Sequence, residues 1–165
     1  MKLRRWTAGL LAAVLLLLTP AALAADPAAL TRAEARDMLL AAADDYNPGV
    51  TASDILKGDE TGALHEDRAV TRAEAMVMLS RAFGDLPAPV GDSARWAYSA
   101  GNFTDIPAWA QEELDNVLAA GIVAGTTPTT FSAASPMTGE QLDALIRRVY
   151  ALEGINPKDD FYAAV

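Results

Sequence analysis

The sequence predicts an all-helical fold in which three matched amphipathic helices each bury the same face against the other two. Three observations carry that expectation. Thr31-Arg32-Ala33-Glu34 returns as Thr71-Arg72-Ala73-Glu74, and a weaker copy stands at Thr138-Gly139-Glu140-Gln141. Seven and eight residues after each Thr the chain is apolar, at Met38-Leu39, Met78-Leu79 and Leu145-Ile146, so one stripe recurs in one register. Gly84 and Gly154 fall where the second and third of these helices would stop.

Each copy carries a physical signal for a helix start. A Thr at the N-cap accepts from a free backbone N–H, and Glu or Gln three residues later reaches back to the cap. Gln141 can do in the third copy what Glu34 and Glu74 do in the first two. The apolar residue ahead of each Thr (Leu30, Val70, Met137) is placed to staple onto Ala35, Ala75 and Leu142.

Taken in order, the chain divides into five parts. Residues 1–24 read as a secretory signal peptide: a basic start at Lys2, Arg4 and Arg5, an apolar run from Ala8 to Leu18, and small residues at Ala22 and Ala24. The apolar run is too short to span a bilayer, so no stable membrane span is expected after cleavage. No Cys follows it, which excludes a lipoprotein anchor. Residues 25–83 hold a partial first unit and a shortened second one, with a brief helical turn at Ala52 to Leu56, loop glycines Gly58 and Gly62, and Leu64 before the next capped helix. Residues 84–102, rich in Pro, Gly, Ser and Asp around Trp96 and Tyr98, form an insertion read as a surface loop. In residues 103–154 the unit is complete: Asp105 as a candidate cap, Pro107 in the first turn, Trp109, Leu114, Val117 and Leu118 at helical spacing, Gly121 as the stop, then Phe131 and the third capped helix. Residues 155–165 are a tail or the start of a further domain.

Composition removes most chemistry. Zero Cys excludes thiolate catalysis, disulfides and Cys-containing zinc sites, and one His makes a His-rich metal site untenable. The formal charge of −9 argues against a nucleic-acid partner. Without Lys2, Arg4 and Arg5 there remain 10 basic against 22 acidic residues, a net of −12. His65 sits in an acidic loop, and its neighbour Glu66 is not followed by the second His of a His-Glu-x-x-His zinc helix. Glu112-Glu113-Asp115 and Asp159-Asp160 read as solvated carboxylates, the acidic stretch from Asp44 to Glu60 lacks the calcium-loop spacing, and no Ser has a nucleophile-elbow context. No enzyme activity, cofactor or metal is expected.

Thr-Arg-Ala-Glu before an apolar helix, Phe103-Thr104-Asp105-Ile106-Pro107, a Trp-bearing helix, Gly121-Ile122-Val123-Ala124-Gly125 and Thr130-Phe131 together resemble the S-layer homology family. The third unit follows the motif order from Phe103 to Leu152, the second its latter half and the first only the capped helix. The resemblance implies a pseudo-threefold helical bundle with loop-lined grooves between repeats. It further implies non-covalent docking onto a secondary cell-wall polymer, a peptidoglycan-linked glycan often ending in a pyruvylated sugar, and hence a place at the bacterial cell surface. The Arg of Thr-Arg-Ala-Glu is the residue expected to hold the acidic ketal, here Arg32 and Arg72, helped by free N–H groups at the helix start; a structural salt bridge to an acidic neighbour is the alternative for both. With them, Glu34, Glu74, Asp105, Trp109 and Gly125 are the implied glycan contacts. Gly139 replaces the third Arg, which leaves at most two functional grooves. Asp159-Asp160-Phe161-Tyr162 resembles the opening of the catalytic region of neprilysin-like zinc peptidases, so the alternative reading is the targeting region of such an enzyme.

Overall fold

All three repeated Thr residues start helices by the reciprocal exchange that their spacing predicts. The computed structural model describes residues 28–89 and 97–152; the expected signal peptide, Trp96 and the tail at 155–165 lie outside them. Helix α1 spans Arg32–Ala43, α3 spans Arg72–Phe83 and α5 spans Gly139–Leu152. The Thr31 and Thr71 amides donate to Glu34 and Glu74 at 2.7 and 2.9 Å, and the hydroxyls accept from the Glu amides at 3.2 and 3.3 Å. Gln141 repeats the exchange with Thr138 at 3.1 and 3.3 Å, using an amide oxygen in place of a carboxylate.

Two lesser helices fill the connections. α2 is a single turn at Ala52–Ile55, begun by the Thr51 amide donating to Asp54 at 2.9 Å. α4 spans Gln111–Ala119 and follows a 3-10 turn at Ala108–Ala110. Asp105 does not cap it. Pro107, which has no N–H to offer, opens that turn, and the Asp105 carboxylate instead accepts from the Phe131 and Ala133 amides at 2.7 and 3.0 Å. Gly84 and Gly121 end α3 and α4 with φ of +72° each, the left-handed geometry that a Cβ disfavours.

The three capped helices are joined at their N-terminal ends by a closed ring of backbone hydrogen bonds. Leu30 N–H donates to Met137 O at 2.9 Å, Met137 N–H to Val70 O at 3.1 Å, and Val70 N–H to Leu30 O at 2.8 Å. Isolated antiparallel bridges flank the ring at Ala29–Thr138, Thr31–Ala69 and Thr71–Pro136, and no strand occurs among the described residues. The loops feeding the ring are alike. His65 and Ser132, each six residues ahead of a cap Thr, take φ of +50° and +62° and begin turns closed by Arg68 N–H to His65 O and Ser135 N–H to Ser132 O.

Burial follows the predicted stripe. Leu30, Val70 and Met137 are buried with Ala35, Ala75 and Leu142, as the staple requires, and Met38, Leu39, Met78, Leu79, Leu145 and Ile146 are buried too. Each large aliphatic side chain so removed from water contributes about 1.5–3 kcal/mol. α3 packs between α1 and α4, and α1 also meets α2 and α5. At the end away from the ring, Tyr46, Phe83 and Tyr150 meet edge to face at centroid distances of 5.2, 6.0 and 6.2 Å, and the Tyr150 hydroxyl donates to Ala42 O at 2.5 Å. Leu64 and Phe131 each stand seven residues ahead of a cap Thr, but Phe131 is fully buried whereas Leu64 is 39% exposed. In the insertion, Asn116 of α4 holds the chain after α3 by accepting from Leu86 N–H and donating to Ser80 Oγ and Gly84 O. Tyr98 rejoins the core against Phe103.

Removing the Thr71 hydroxyl loses the bond it accepts from the Glu74 amide and the one it donates to the Glu74 carboxylate, so Thr71→Ala is expected to cost about 1 kcal/mol and lower Tm by roughly 4 °C, whereas Lys57→Ala, at an exposed side chain, leaves Tm unchanged. Thermal unfolding followed by circular dichroism checks both; an unchanged Tm for Thr71→Ala would show that the cap carries no stability.

Candidate functional site

The repeated arginines sit one residue beyond each cap Thr, and the ring aims each of them at the loop that leads to the next capped helix. Arg32 is only 9% exposed and fully engaged. Its Nε donates to Leu64 O at 2.9 Å, one terminal nitrogen to Lys57 O at 3.0 Å, and the other to Glu74 Oε1 at 2.5 Å. Arg68 reaches the same carboxylate, also at 2.5 Å. Glu74 therefore serves its own cap and two guanidiniums at once. Burial pushes its carboxyl up, but the Arg68 hydrogen bond, the Thr71 amide and Arg32 outweigh that and hold it below its ordinary value. The sequence placed the apolar face of α1 away from Arg32 and expected it to hold ligand, with a salt bridge to an acidic neighbour as the alternative; the structure buries it and realises the alternative, with Glu74 as the acid.

Around this pair lies a groove of about 430 Å³, lined by Arg32, Lys57, His65, Arg68, Glu74, Arg81 and the exposed face of Trp109. Trp109 is 58% exposed, the most exposed large hydrophobic side chain described. Arg81 pairs with Glu113 at 2.8 Å on the neighbouring α4. His65 has a partner, with Nε2 at 2.7 Å from Asp59 Oδ2.

Arg72 occupies the matching position in the next repeat, with different surroundings. One terminal nitrogen donates to Ala124 O at 3.0 Å, and that carbonyl corresponds to Lys57 O: each lies fourteen residues ahead of its cap Thr. The guanidinium stacks on the Phe131 ring at 4.7 Å. Its Nε is buried without a hydrogen-bond partner, and no carboxylate among the described residues pairs with it. Burial, then the repulsion of the nearby Arg148 guanidinium, pushes its pKa down from the ordinary arginine value. Arg148, on α5, donates to Ile122 O at 2.9 Å.

The remaining sequence candidates fall in distinct places. Glu34 is exposed and serves the α1 cap. Gly125 abuts the Phe103 ring; a Cβ there would sit 2.2 Å from a Phe103 carbon and 2.6 Å from Thr127 O, so close packing demands glycine. Asp105 binds the loop amides under Phe131 and is held below the usual carboxylate range chiefly by the Phe131 N–H. Arg32, Glu74 and Trp109 thus share one groove, whereas Arg72 lies over Phe131 beside the Ala124–Gly125 segment. The helix-start amides are not free for a ligand. Arg32 and Ala33 donate to Arg68 O and Glu66 O, and Arg72 and Ala73 to Ser135 O and Ala133 O. Sequence reasoning missed Arg68, Arg81 and Arg148. The last two share a signal that could have found them: each stands ten residues after a cap Thr.

Residues 102–142 match the family model of the S-layer homology domain, which covers the Trp-bearing helix, the Gly-terminated loop and the third capping box. That segment is similar to the S-layer homology domain. No curated protein matches the chain. Among the described residues no helix is long and apolar enough to cross a membrane, and no three acidic or His side chains cluster as metal ligands would.

Arg32→Ala would strand Glu74 and leave two loop carbonyls without their donor, so a loss of roughly 2–3 kcal/mol is expected by denaturant unfolding. Because the Glu74 carboxyl is depressed from its ordinary value of 4.5, its contribution is present above that pH and is lost as the pH falls through the folded-state value. Glu74→Gln should keep the cap, as Gln141 does, and flatten the acid limb of Tm against pH. An acid limb identical to that of the unmodified chain would remove Glu74 from this role.

Proposed function

We propose that the chain is a non-catalytic anchoring module that holds a protein at the bacterial cell surface by binding a secondary cell-wall polymer. S-layer homology domains anchor proteins to cell-wall polymers, and residues 102–142 match that family. The closed hydrogen-bond ring and the like loops before Thr71 and Thr138 support reading the whole described chain as a pseudo-threefold set of repeats, extending the matched segment to its neighbours.

The observation that carries the binding reading is Arg72. A guanidinium stacked on Phe131 that has no carboxylate of its own, and whose Nε finds no partner within the described residues, leaves its charge to be matched by an anionic group from outside. Polymers ending in a carboxylate-bearing sugar, such as a pyruvate ketal, present that group on a compact ring. The planar fork of Arg can take a carboxylate through two parallel hydrogen bonds. Trp109 offers an exposed aromatic face for a further sugar in the adjacent groove. Arg32, already tied to Glu74, plays the smaller part.

The expected outcome is co-sedimentation with wall sacculi that carry their polymer and none with sacculi stripped of it. Equal sedimentation with both preparations would overturn the proposal. Arg72→Ala should weaken binding at least tenfold, the loss of one charge-assisted pair of about 1.5–3 kcal/mol. Arg72→Lys should weaken it too, because an ammonium cannot reproduce the bidentate fork. Retained affinity in Arg72→Ala would take this residue out of the site.

A further inference from the structure

The groove around Arg32 and the site around Arg72 are built on one plan but differ in whether their arginines are neutralised from within. In each, the Arg after a cap Thr is a neighbour of the Arg ten residues after the following cap Thr: Arg32 and Arg81 line one groove, and Arg72 feels the charge of Arg148. The backbone props are alike as well, with Lys57 O and Ala124 O at matching positions. The acids are not alike. In the first groove Arg32 is bridged to Glu74, the capping-box residue of the next repeat, and Arg81 to Glu113. The counterpart of Glu74 at the site around Arg72 is Gln141, which closes its cap with a neutral oxygen. The residue three before the cap Thr, Arg68 in one loop, is Ser135 in the other.

We infer that Arg72 and Arg148 form a two-guanidinium clamp for a single carboxylate-bearing ligand, and that Gln141 in place of Glu is what leaves the clamp open. The inference rests on the reading of Arg72 given above and adds a second binding residue, a specificity-determining residue and a division of labour. Arg148 hangs from Ile122 O and Arg72 from Ala124 O, two carbonyls of one short segment two residues apart. Each guanidinium keeps donors to spare, since Arg has five N–H groups and each is bound here by one. No carboxylate among the described residues is bonded to either. Two like charges held together without a counter-ion favour an incoming anion over a neutral sugar. The first groove, with Glu74 seated on Arg32 and Arg68, excludes an anion from the same position by like-charge repulsion and suits an uncharged ring against Trp109.

The test follows the Arg Nε–Hε resonances of the purified chain in 1H–15N spectra during titration with 2,2-dimethoxypropanoate, the open-chain ketal of pyruvate, at constant ionic strength. The resonances of Arg72 and Arg148 should move along one common isotherm while those of Arg32 and Arg81 stay put. Arg148→Gln should weaken the affinity about tenfold, as losing one charge-assisted contact does. Gln141→Glu preserves the capping box, as Glu34 and Glu74 demonstrate, and should weaken it by at least as much with Tm retained. An Arg148 resonance that does not respond, or unweakened binding in Gln141→Glu, overturns the clamp. Sacculus binding that survives in Arg148→Gln and Gln141→Glu would sink the clamp and leave the anchoring reading standing. The reverse result, a shared isotherm with no sacculus binding, would sink the anchoring reading and leave the clamp.

Discussion

Leu30, Val70 and Met137 stand far apart in sequence, yet each gives its amide to the next and the last closes on the first. Closing such a ring requires contacts across more than a hundred residues, so the chain must give up considerable loop entropy before the last bond forms. What repays it is the apolar side chains of the same three residues, buried where the helix starts converge. Every groove residue inherits its position from this point. The cap Thr follows the ring residue and the arginine follows the Thr, so each guanidinium is delivered to the next repeat's loop with little freedom to be elsewhere. The loop in turn supplies the carbonyls that satisfy the helix-start amides, which is why those amides are not left for a ligand.

Much of this was legible in the sequence, and the parts that were not share a physical reason. Capping boxes, staples and the apolar stripe are local signals with fixed spacing, and the structure realises them at Thr31, Thr71 and Thr138; of the glycine stops it realises Gly84 and Gly121, while Gly154 lies outside the described residues. The ring itself was invisible because it is made of backbone atoms, which every residue carries. For Arg32 the helix alone pointed away from a core role, with a salt bridge to an acidic neighbour as the alternative to ligand, and Glu74 supplies that bridge. The burial of Arg32 comes from the loop holding Lys57 and Leu64, a tertiary partner that helical periodicity does not report. Asp105 was misassigned for a similar reason: Asp ahead of Pro reads as a cap, but the amides of Phe131 and Ala133, far along the chain, compete for its carboxylate and win. Trp109 was found as a helical residue of the third unit, and only the structure put it beside the arginines of the first two.

The charge of the chain and the charge of its grooves point in opposite directions. The molecule as a whole is strongly acidic, while Arg32, Arg68 and Arg81 line one groove and Arg72 lies close enough to Arg148 for their charges to repel. At physiological salt the field of the distant carboxylates is screened over about 8 Å, so an anionic ligand at a groove feels chiefly the guanidiniums next to it. Long-range attraction contributes nothing to such an encounter, and selectivity rests on contact geometry. An acidic exterior also disfavours indiscriminate adhesion to anionic surfaces, which a basic domain would show.

The two ends of the insertion return to one helix. The chain leaves α3 at Leu86, held by Asn116, and comes back at Tyr98, whose amide donates to Leu118 O. Both holding residues belong to α4 and lie within one turn of each other. The fold is thus buttoned shut on either side of whatever runs between them. For a flexible loop, doubling the length between fixed ends costs only about 0.6 kcal/mol. Extra residues inserted between these two attachments would therefore cost the fold little as long as the Leu86 and Tyr98 bonds hold.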